Sequence, residues 1–373
     1  MSGKTKEDFG HGDAQFITYM NVFSNPVANL EMTEAVEIDA KQNCVKKGDV
    51  FFTTSSETPE EVGMSCVMPE NKDNIYLNSF CFGYRPTEKF DLDYLAYVLR
   101  ADSFRQEMTF LAQGISRYNI SKNKVMEVSI PIPNLEEQTM VGQYFSNLDH
   151  LITLHQRKCD QTKNLKKYML QKMFPQNGAK VPEIRFDGYT YDWEQRKLGD
   201  YLEVSKEKNR DEGFGKEDVL SVSGEFGIVN QIEFQGRSFA GASVKNYGVV
   251  EVFDIVYTKS PLKSNPYGII KTNKGKAGIV STLYAVYKPK NNVDSEFIQI
   301  YFELDSRMNS YMHPLVNKGA KNDMKVSDEN ALKGPVIFPR IEEQKMISQY
   351  FSNLAHLITL HQRQHKLHLN MLL

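Results

Sequence analysis

The sequence predicts an α+β protein made of two related α/β modules, each followed by a copy of the same long helix. Residues 136–157 and 342–363 are identical at 18 of 22 positions, at an offset of 206 residues. Both copies place apolar residues at alternating steps of four and three, which is typical of a helix. Similar strand-like and helix-like runs precede the two copies. A repeat this long indicates that a whole module was duplicated, since solenoid repeats are much shorter.

The first predicted module covers residues 1–133. Residues 45–55 have the pattern of a turn followed by a buried strand, and residues 91–113 have that of one amphipathic helix. Residues 114–124 are rich in Gly, Ser, Asn and basic side chains, which indicates a surface loop. Pro131 and Pro133 then mark the end of the module.

The first long helix is predicted over residues 134–174, and about 38 helical residues would span roughly 57 Å. Its apolar stripe is broader than a two-helix seam, so the helix needs more than one neighbour. Polar positions also match between the two copies, which core packing alone would not require. An ordinary amphipathic core helix is the simpler interpretation. The stripe residues expected to build a rod and to bind partners are Phe145, Leu148, Leu151, Ile152, Phe351, Leu354, Leu357 and Ile358.

The second half repeats this organisation. Residues 175–197 contain two prolines and two glycines without helical periodicity, so we expect a linker there. The second module is predicted over residues 198–339 and the second long helix over 340–373. Residues 252–260 parallel 47–55, residues 293–308 parallel the helix that begins at Asp91, and residues 317–327 parallel 113–121. The modules therefore share a scaffold while their loops differ, as expected of two readers with different targets.

Composition indicates an ordinary globular protein of 373 residues with a net charge of −2. We expect no membrane span, because the apolar runs are too short. The four cysteines lack paired or zinc-type spacing, which favours reduced thiols in the cytoplasm. Residues 243–276 hold six lysines against two acidic residues, and such a cluster is either a phosphate-binding surface or a solvated face.

The patterns of a catalytic site are missing from this sequence. A DNA methyltransferase needs a Gly-rich donor loop and a Pro-Pro-aromatic loop that holds the flipped base. Asn25-Pro26-Val27 and Asn265-Pro266-Tyr267 each have one proline only. We also find no nuclease-like cluster of carboxylates beside a lysine. His361, His365 and His368 have helical spacing but lie near the end of the last helix, so we expect no metal site.

Three motifs carry a family resemblance across nearly the whole chain. They are the duplicated P-x-L/I-E-E-Q helix start, the QYFSNLxHLITLHQR helix body, and PEIRF at 182–186 with WEQRKLGD at 193–200. Together they resemble the specificity subunit of type I restriction-modification systems, the HsdS family. The resemblance implies two target recognition domains that read a bipartite, gapped site in double-stranded DNA. It also implies two antiparallel helices that set the half-site spacing and dock two methyltransferase (modification) subunits and the restriction/translocase subunits.

The same resemblance implies that this chain is not an enzyme and holds no cofactor, with S-adenosylmethionine bound by the partner methyltransferase. The first module lacks a counterpart of the WEQRKLGD strand, so we expect it to be shortened at its N-terminus. The last helix stops at Leu373, so we expect the second long helix to be shortened as well. Two alternatives remain open: an inactive truncated specificity subunit, and a helical adaptor that binds protein rather than DNA.

Sequence discrimination in the major groove needs side chains that donate or accept hydrogen bonds, carried on loops. We select such side chains at equivalent positions of the two modules. The candidate DNA-binding residues are Thr53, Thr54, Ser55, Arg117 and Lys122 in the first module, and Lys259, Ser260, Lys263, Lys321 and Asn322 in the second.

Overall fold

The computed structural model describes residues 6–176, 178–259, 265–318 and 324–372. Two compact units are present: unit 1 is Met1–Leu154 with Gln364–Leu373, and unit 2 is His155–Arg363. Each unit takes part of both long helices, so the units do not coincide with the predicted boundaries at residues 133, 174, 197 and 339. The predicted α+β class is confirmed.

Unit 1 places short helices against small sheets. Its strands are β1 (Phe9–Ile17), β2 (Thr33–Val36), β3 (Val50–Thr53), β4 (Ser55–Ser56), β5 (Ser65–Val67), β6 (Ile75–Leu77), β7 (Cys81–Tyr84) and β8 (Tyr118–Asn119). Its short helices are α1 (Tyr19–Ser24), α2 (Leu92–Val98), α3 (Asp102–Leu111) and α4 (Lys122–Val125). The sheets have the strand orders β2-β1-β6, β5-β3-β7 and β4-β8. The rings of Phe52, Phe82 and Phe104 meet in the core between β3, β7 and α3.

The predicted turn and strand at residues 45–55 are confirmed. Gly48 has φ +84, a conformation that glycine adopts without strain, and β3 follows with all four residues buried. The single helix predicted over 91–113 is wrong, because α2 and α3 are separated by an extended Ala101. Arg100 lies at this break, and its guanidinium donates to the backbone carbonyls of residues 22, 23, 25 and 65. The helix is therefore interrupted at the point where Arg100 makes long-range hydrogen bonds to the backbone.

Unit 2 repeats much of this arrangement. Its strands are β9 (Glu194–Lys197), β10 (Leu202–Val204), β11 (Leu220–Ser223), β12 (Gly227–Asn230), β13 (Gly248–Val250), β14 (Ile255–Thr258), β15 (Ile270–Thr272), β16 (Gly278–Val280), β17 (Tyr284–Pro289), β18 (Asn317–Lys318), β19 (Met324–Lys325) and β20 (Pro335–Phe338). Its short helices are α6 (Gln231–Gln235), α7 (Ser295–Tyr301) and α8 (Asp305–Met312). The main sheet has the order β10-β17-β14-β15, and β9 pairs with β20.

The duplication extends to individual hydrogen bonds. The Thr53 hydroxyl accepts from the Met64 N–H at 3.0 Å, and the Thr258 hydroxyl accepts from the Ile269 N–H at 2.8 Å. Both threonines end the equivalent strands β3 and β14, and both are buried. These hydroxyls satisfy the backbone of a neighbouring segment in each unit, which explains why threonine stands at both positions.

The two predicted long helices are confirmed as α5 (Leu135–Lys172) and α9 (Ile341–Leu372). They run antiparallel within unit 2, since His155 lies beside His361 with 3.2 Å between their Nδ1 atoms, while Phe174 lies beside Phe351. His155 and His361 are equivalent residues of the duplication, so the two copies of the helix meet at matching positions. The ends of both helices contribute Leu170, Ile347, Phe351 and Leu354 to the unit 2 core.

Within residues 175–197, predicted to be a linker, Pro182, Ile184, Phe186 and Trp193 pack into unit 2, while most of the other described residues are exposed. Trp193 is 1% exposed and its ring meets those of Phe174 and Phe297. Residues 194–197 form β9. Side-chain contacts and strand pairing, rather than helix formation, hold this segment in place.

Candidate nucleic-acid interface

A short loop at residues 113–119 projects from unit 1. The backbones of Gln113 and Asn119 exchange two hydrogen bonds of 2.9 Å, which closes the loop. Gly114 is required there, because a Cβ atom at this position would lie 2.1 Å from the Arg117 carbonyl oxygen. Ile115 at the tip is 96% exposed. An exposed aliphatic side chain on a fixed loop suits insertion against bases.

Arg117 extends from this loop over a cavity of about 280 Å³. Its Nε donates to the Ser55 hydroxyl at 3.1 Å, which positions the guanidinium. The Tyr19 hydroxyl donates to the Ser55 carbonyl oxygen at 2.8 Å, and burial raises the pKa of Tyr19. The lining residues of the cavity are Tyr19, Met20, Phe23, Ser55, Ser56, Glu57, Glu61 and Arg117.

The charges around this cavity are mixed. Glu57 and Glu61 lie in the same lining as Arg117, and the Ser56 hydroxyl donates to Glu61 at 3.1 Å. Two carboxylates would repel a phosphate, whereas they accept hydrogen bonds from base amino groups. Arginine donates in turn to guanine acceptors. The set of donors and acceptors therefore suits base edges better than a bare phosphate backbone.

Unit 2 has a hairpin at the equivalent place. Strands β18 and β19 pair on either side of residues 319–323, which fall outside the described part of the chain. Of the candidates in this module, Lys321 and Asn322 lie in that gap, and Ser260 and Lys263 lie in the gap at 260–264. Lys259 is described, and its ammonium donates to the Asp328 carboxylate at 3.0 Å.

The lysine cluster at 243–276 is largely neutralised where it is described. Lys245, Lys259 and Lys274 form ion pairs with Glu212, Asp328 and Glu296 at 3.3, 3.0 and 2.8 Å. Lys271 is buried, and desolvation lowers its pKa. Ion pairing makes this segment a weaker phosphate-binding surface than its composition indicates.

The structure brings some of the first module's candidates together and separates others. Ser55 and Arg117 share the cavity, and Thr54 borders it in sequence while remaining half-buried. Thr53 is 0% exposed. Lys122 is exposed at the start of α4. Sequence reasoning missed Tyr19, Glu57, Glu61 and Ile115; the Tyr19/Phe23 spacing of four residues, which stacks the two rings, was a usable signal.

The stripe residues also differ in burial. Leu148, Phe351 and Leu354 are buried, whereas Leu357 is 42% exposed. Phe145, Leu151, Ile152 and Ile358 are half-buried. Within the described ranges, no cluster of three or more His, Cys, Asp or Glu side chains could hold a metal ion. No described helix is both long and apolar enough to cross a membrane.

A family model for the type I restriction modification DNA specificity domain matches residues 3–164. The type I restriction enzyme MjaX specificity subunit of Methanocaldococcus jannaschii is 24% identical over 378 residues, covering 93% of this chain and 82% of the relative. Residues 3–164 thus match the type I restriction modification DNA specificity domain, and the similarity to a specificity subunit extends over nearly the whole chain. At 93% coverage, the match to the relative extends over both modules of this chain.

Two further proteins resemble this chain. The type I restriction enzyme StySPI specificity subunit of Salmonella potsdam is 20% identical over 316 residues, covering 80% of this chain and 66% of the relative. The crystal structure of the type I restriction-modification system S subunit from M. genitalium aligns with a TM-score of 0.54 at 14% identity. That alignment covers 99% of this chain and 89% of the other. At this identity, the structural likeness shows a shared fold.

Proposed function

We propose that this chain is a type I restriction-modification specificity subunit that reads a bipartite, gapped DNA site, with one half-site recognised by each module. The observation that carries the proposal is the cavity in unit 1, where Arg117, Ser55, Ser56, Glu57 and Glu61 supply donors and acceptors beside an exposed loop. Unit 2 supports it with a hairpin at the equivalent position. Catalysis belongs to partner subunits that bind S-adenosylmethionine or cleave DNA.

We further propose that α5 and α9 dock the methyltransferase and restriction subunits. The support is the matched pattern of the two helices, including polar side chains that face solvent. Gln143 and Gln349 are equivalent and both exposed. Internal packing alone does not require the same polar residue at two exposed positions, whereas two copies of one partner do.

Substitution of Arg117 tests base readout in the first module. We expect Arg117→Ala in the assembled complex to change the bases enriched in one half-site from a random duplex library, because a bidentate arginine contact discriminates by about 1–3 kcal/mol. The other half-site and subunit assembly should stay the same, since Arg117 is exposed. Lys41→Ala, which removes another exposed cation of unit 1, is the matched control. An unchanged enriched sequence would count against readout by Arg117.

The ion-paired lysines of unit 2 favour the second candidate, a protein-binding adaptor. Salt separates the two functions, because DNA binding releases counterions and weakens steeply as salt rises. Affinity of the complex for duplex DNA that is absent, or independent of salt, would support the adaptor.

A further inference from the structure

In unit 2, the beginning of α9 is covered by residues 181–197. Glu343, the second glutamate of the helix start, is 0% exposed and accepts two hydrogen bonds of 2.8 Å from the Arg185 guanidinium. The Trp193 indole N–H points to the same carboxylate at 3.3 Å. Phe186 packs edge-on against Tyr350, with 6.0 Å between ring centroids. The charge of Arg185 and the aromatic side chains of Trp193 and Phe186 thus close this end of the helix.

The same segment continues as β9 and pairs with β20. The Leu198 N–H donates to the Gly334 carbonyl oxygen at 3.0 Å, and the register places Val336 opposite Arg196 and Phe338 opposite Glu194. Antiparallel pairs alternate between bonded and non-bonded, so these two pairs are hydrogen-bonded ones. Pro335 stands at a non-bonded position, where a missing N–H costs nothing.

In the part of the chain that the structure describes, the equivalent surface of unit 1 is exposed. Glu137, equivalent to Glu343, is exposed, and Ile132 is 58% exposed where its equivalent Phe338 is 1% exposed. Tyr144, equivalent to Tyr350, is 50% exposed. The helix start is therefore the same in sequence, while the charge and rings that close it in unit 2 are not seen on it in unit 1.

The backbone beside this helix start is also available. Ile130 and Ile132 are equivalent to the bonded residues Val336 and Phe338, and among the described residues we find no hydrogen bond to their backbone groups. Pro131 and Pro133 fall at the non-hydrogen-bonded positions of this register. Their missing N–H groups therefore do not prevent a strand from pairing with Ile130 and Ile132. Their carbonyls are held from the other side, by the Tyr94 hydroxyl at 2.6 Å and the Gln138 amide at 2.9 Å.

We propose that this open face, residues 129–132 with Glu137 and Tyr144, binds an extended segment of a separate polypeptide with the chemistry of residues 181–197. The arginine of that segment would pair with Glu137, an aromatic ring would cover Tyr144, and its strand would add to the edge at Ile130 and Ile132. Unit 2 shows how such a segment binds, because the equivalent helix start of α9 binds residues 181–197 there.

A separate polypeptide fits better than a second copy of this chain. A second copy could donate residues 181–197 only by removing Trp193 and Arg185 from its own unit 2, where Trp193 is 1% exposed. The exchange would break as many contacts as it forms. The binding free energy would therefore not offset the cost of association.

Binding of a labelled synthetic peptide of residues 180–198 to the full chain tests the proposal. We expect saturable binding at one site, weakened about tenfold or more by Glu137→Gln, since the charge-assisted hydrogen bonds are lost. A peptide with Arg185→Ala should be weakened similarly, and combining it with Glu137→Gln should add little further loss. Glu136→Gln, which alters the neighbouring exposed carboxylate, is the matched control and should leave binding unchanged.

Three results would overturn the proposal. The first is a lack of saturable binding, and the second is binding that Glu137→Gln leaves unchanged, as when the peptide only displaces the chain's own segment in unit 2. The third is a dimer of the chain alone that Glu137→Gln dissociates, because it would identify a second copy as the occupant. Sedimentation of the chain alone tests this, and we expect a monomer.

Discussion

Two buried glutamines tie each long helix to the module before it. The Gln138 side chain accepts from the Asp91 N–H at 3.1 Å and donates to the Pro133 carbonyl, and Gln344 does the same with Asp294 and Pro339 at 2.9 Å each. Asp91 and Asp294 are the N-caps of α2 and α7. One amide thus satisfies both the N-terminus of a short helix and the proline carbonyl just before the long helix, which accounts for the glutamine in both E-E-Q motifs.

Loss of this amide should destabilise the unit that contains it. We expect Gln344→Ala to cost about 1–3 kcal/mol, because a buried donor and acceptor lose their partner. Denaturant unfolding followed by circular dichroism measures the change. Gln349→Ala, in the same helix but exposed, should stay within about 0.5 kcal/mol of the parent. Equal effects of the two substitutions would show that the buried amide contributes nothing specific.

At the residue scale, sequence reasoning found Arg117 and Ser55 but missed the groups beside them. Loop composition identifies polar side chains, while the positions of Tyr19, Glu57 and Glu61 around one cavity depend on contacts between distant segments. The burial of Thr53 has the same origin, since its hydroxyl serves the Met64 backbone.

At the element scale, long periodic segments were the easiest to predict. The matching apolar stripes predict both long helices, α5 and α9. The observed bounds of these helices fall close to the predicted ones. The 91–113 segment was predicted as one helix because its apolar spacing continues across the break. The interruption comes from Arg100, whose carbonyl partners lie in residues 22–65, and local periodicity carries no information about them.

Substitutions in one turn of α9 test the role of the long helix. Leu354 is 6% exposed within the unit 2 core, so we expect Leu354→Asp to cost about 3 kcal/mol or more and to abolish co-purification with a methyltransferase subunit. Leu148→Asp should act similarly in α5, where Leu148 is 5% exposed.

Leu357 provides the matched control for that experiment, because it lies one turn further along α9 and is 42% exposed. We expect Leu357→Asp to keep its thermal unfolding midpoint near that of the parent. Normal assembly of the Leu354→Asp variant would contradict the assigned packing of this helix.

At the scale of the whole molecule, the duplication accounts for most of what the sequence could predict. Comparison of the two halves of the sequence at the offset of the duplication predicts the second module. It also predicts strand β14 and the capped helix α7 from their counterparts in the first module. It could not show that residues 181–197 close the start of α9, because unit 1 offers no sequence counterpart for comparison. The contrast between Glu343 and Glu137 emerges only from burial in the folded chain.

Co-expression with a methyltransferase subunit in a host free of DNA methylation, followed by mapping of methylated bases across the genome, tests the central claim most directly. Two recognition modules on one chain predict methylation at a gapped, two-part sequence, and Arg117→Ala should alter one part only. A methyltransferase that co-purifies with the chain yet leaves the genome unmethylated, or methylates a single ungapped sequence, would contradict the account.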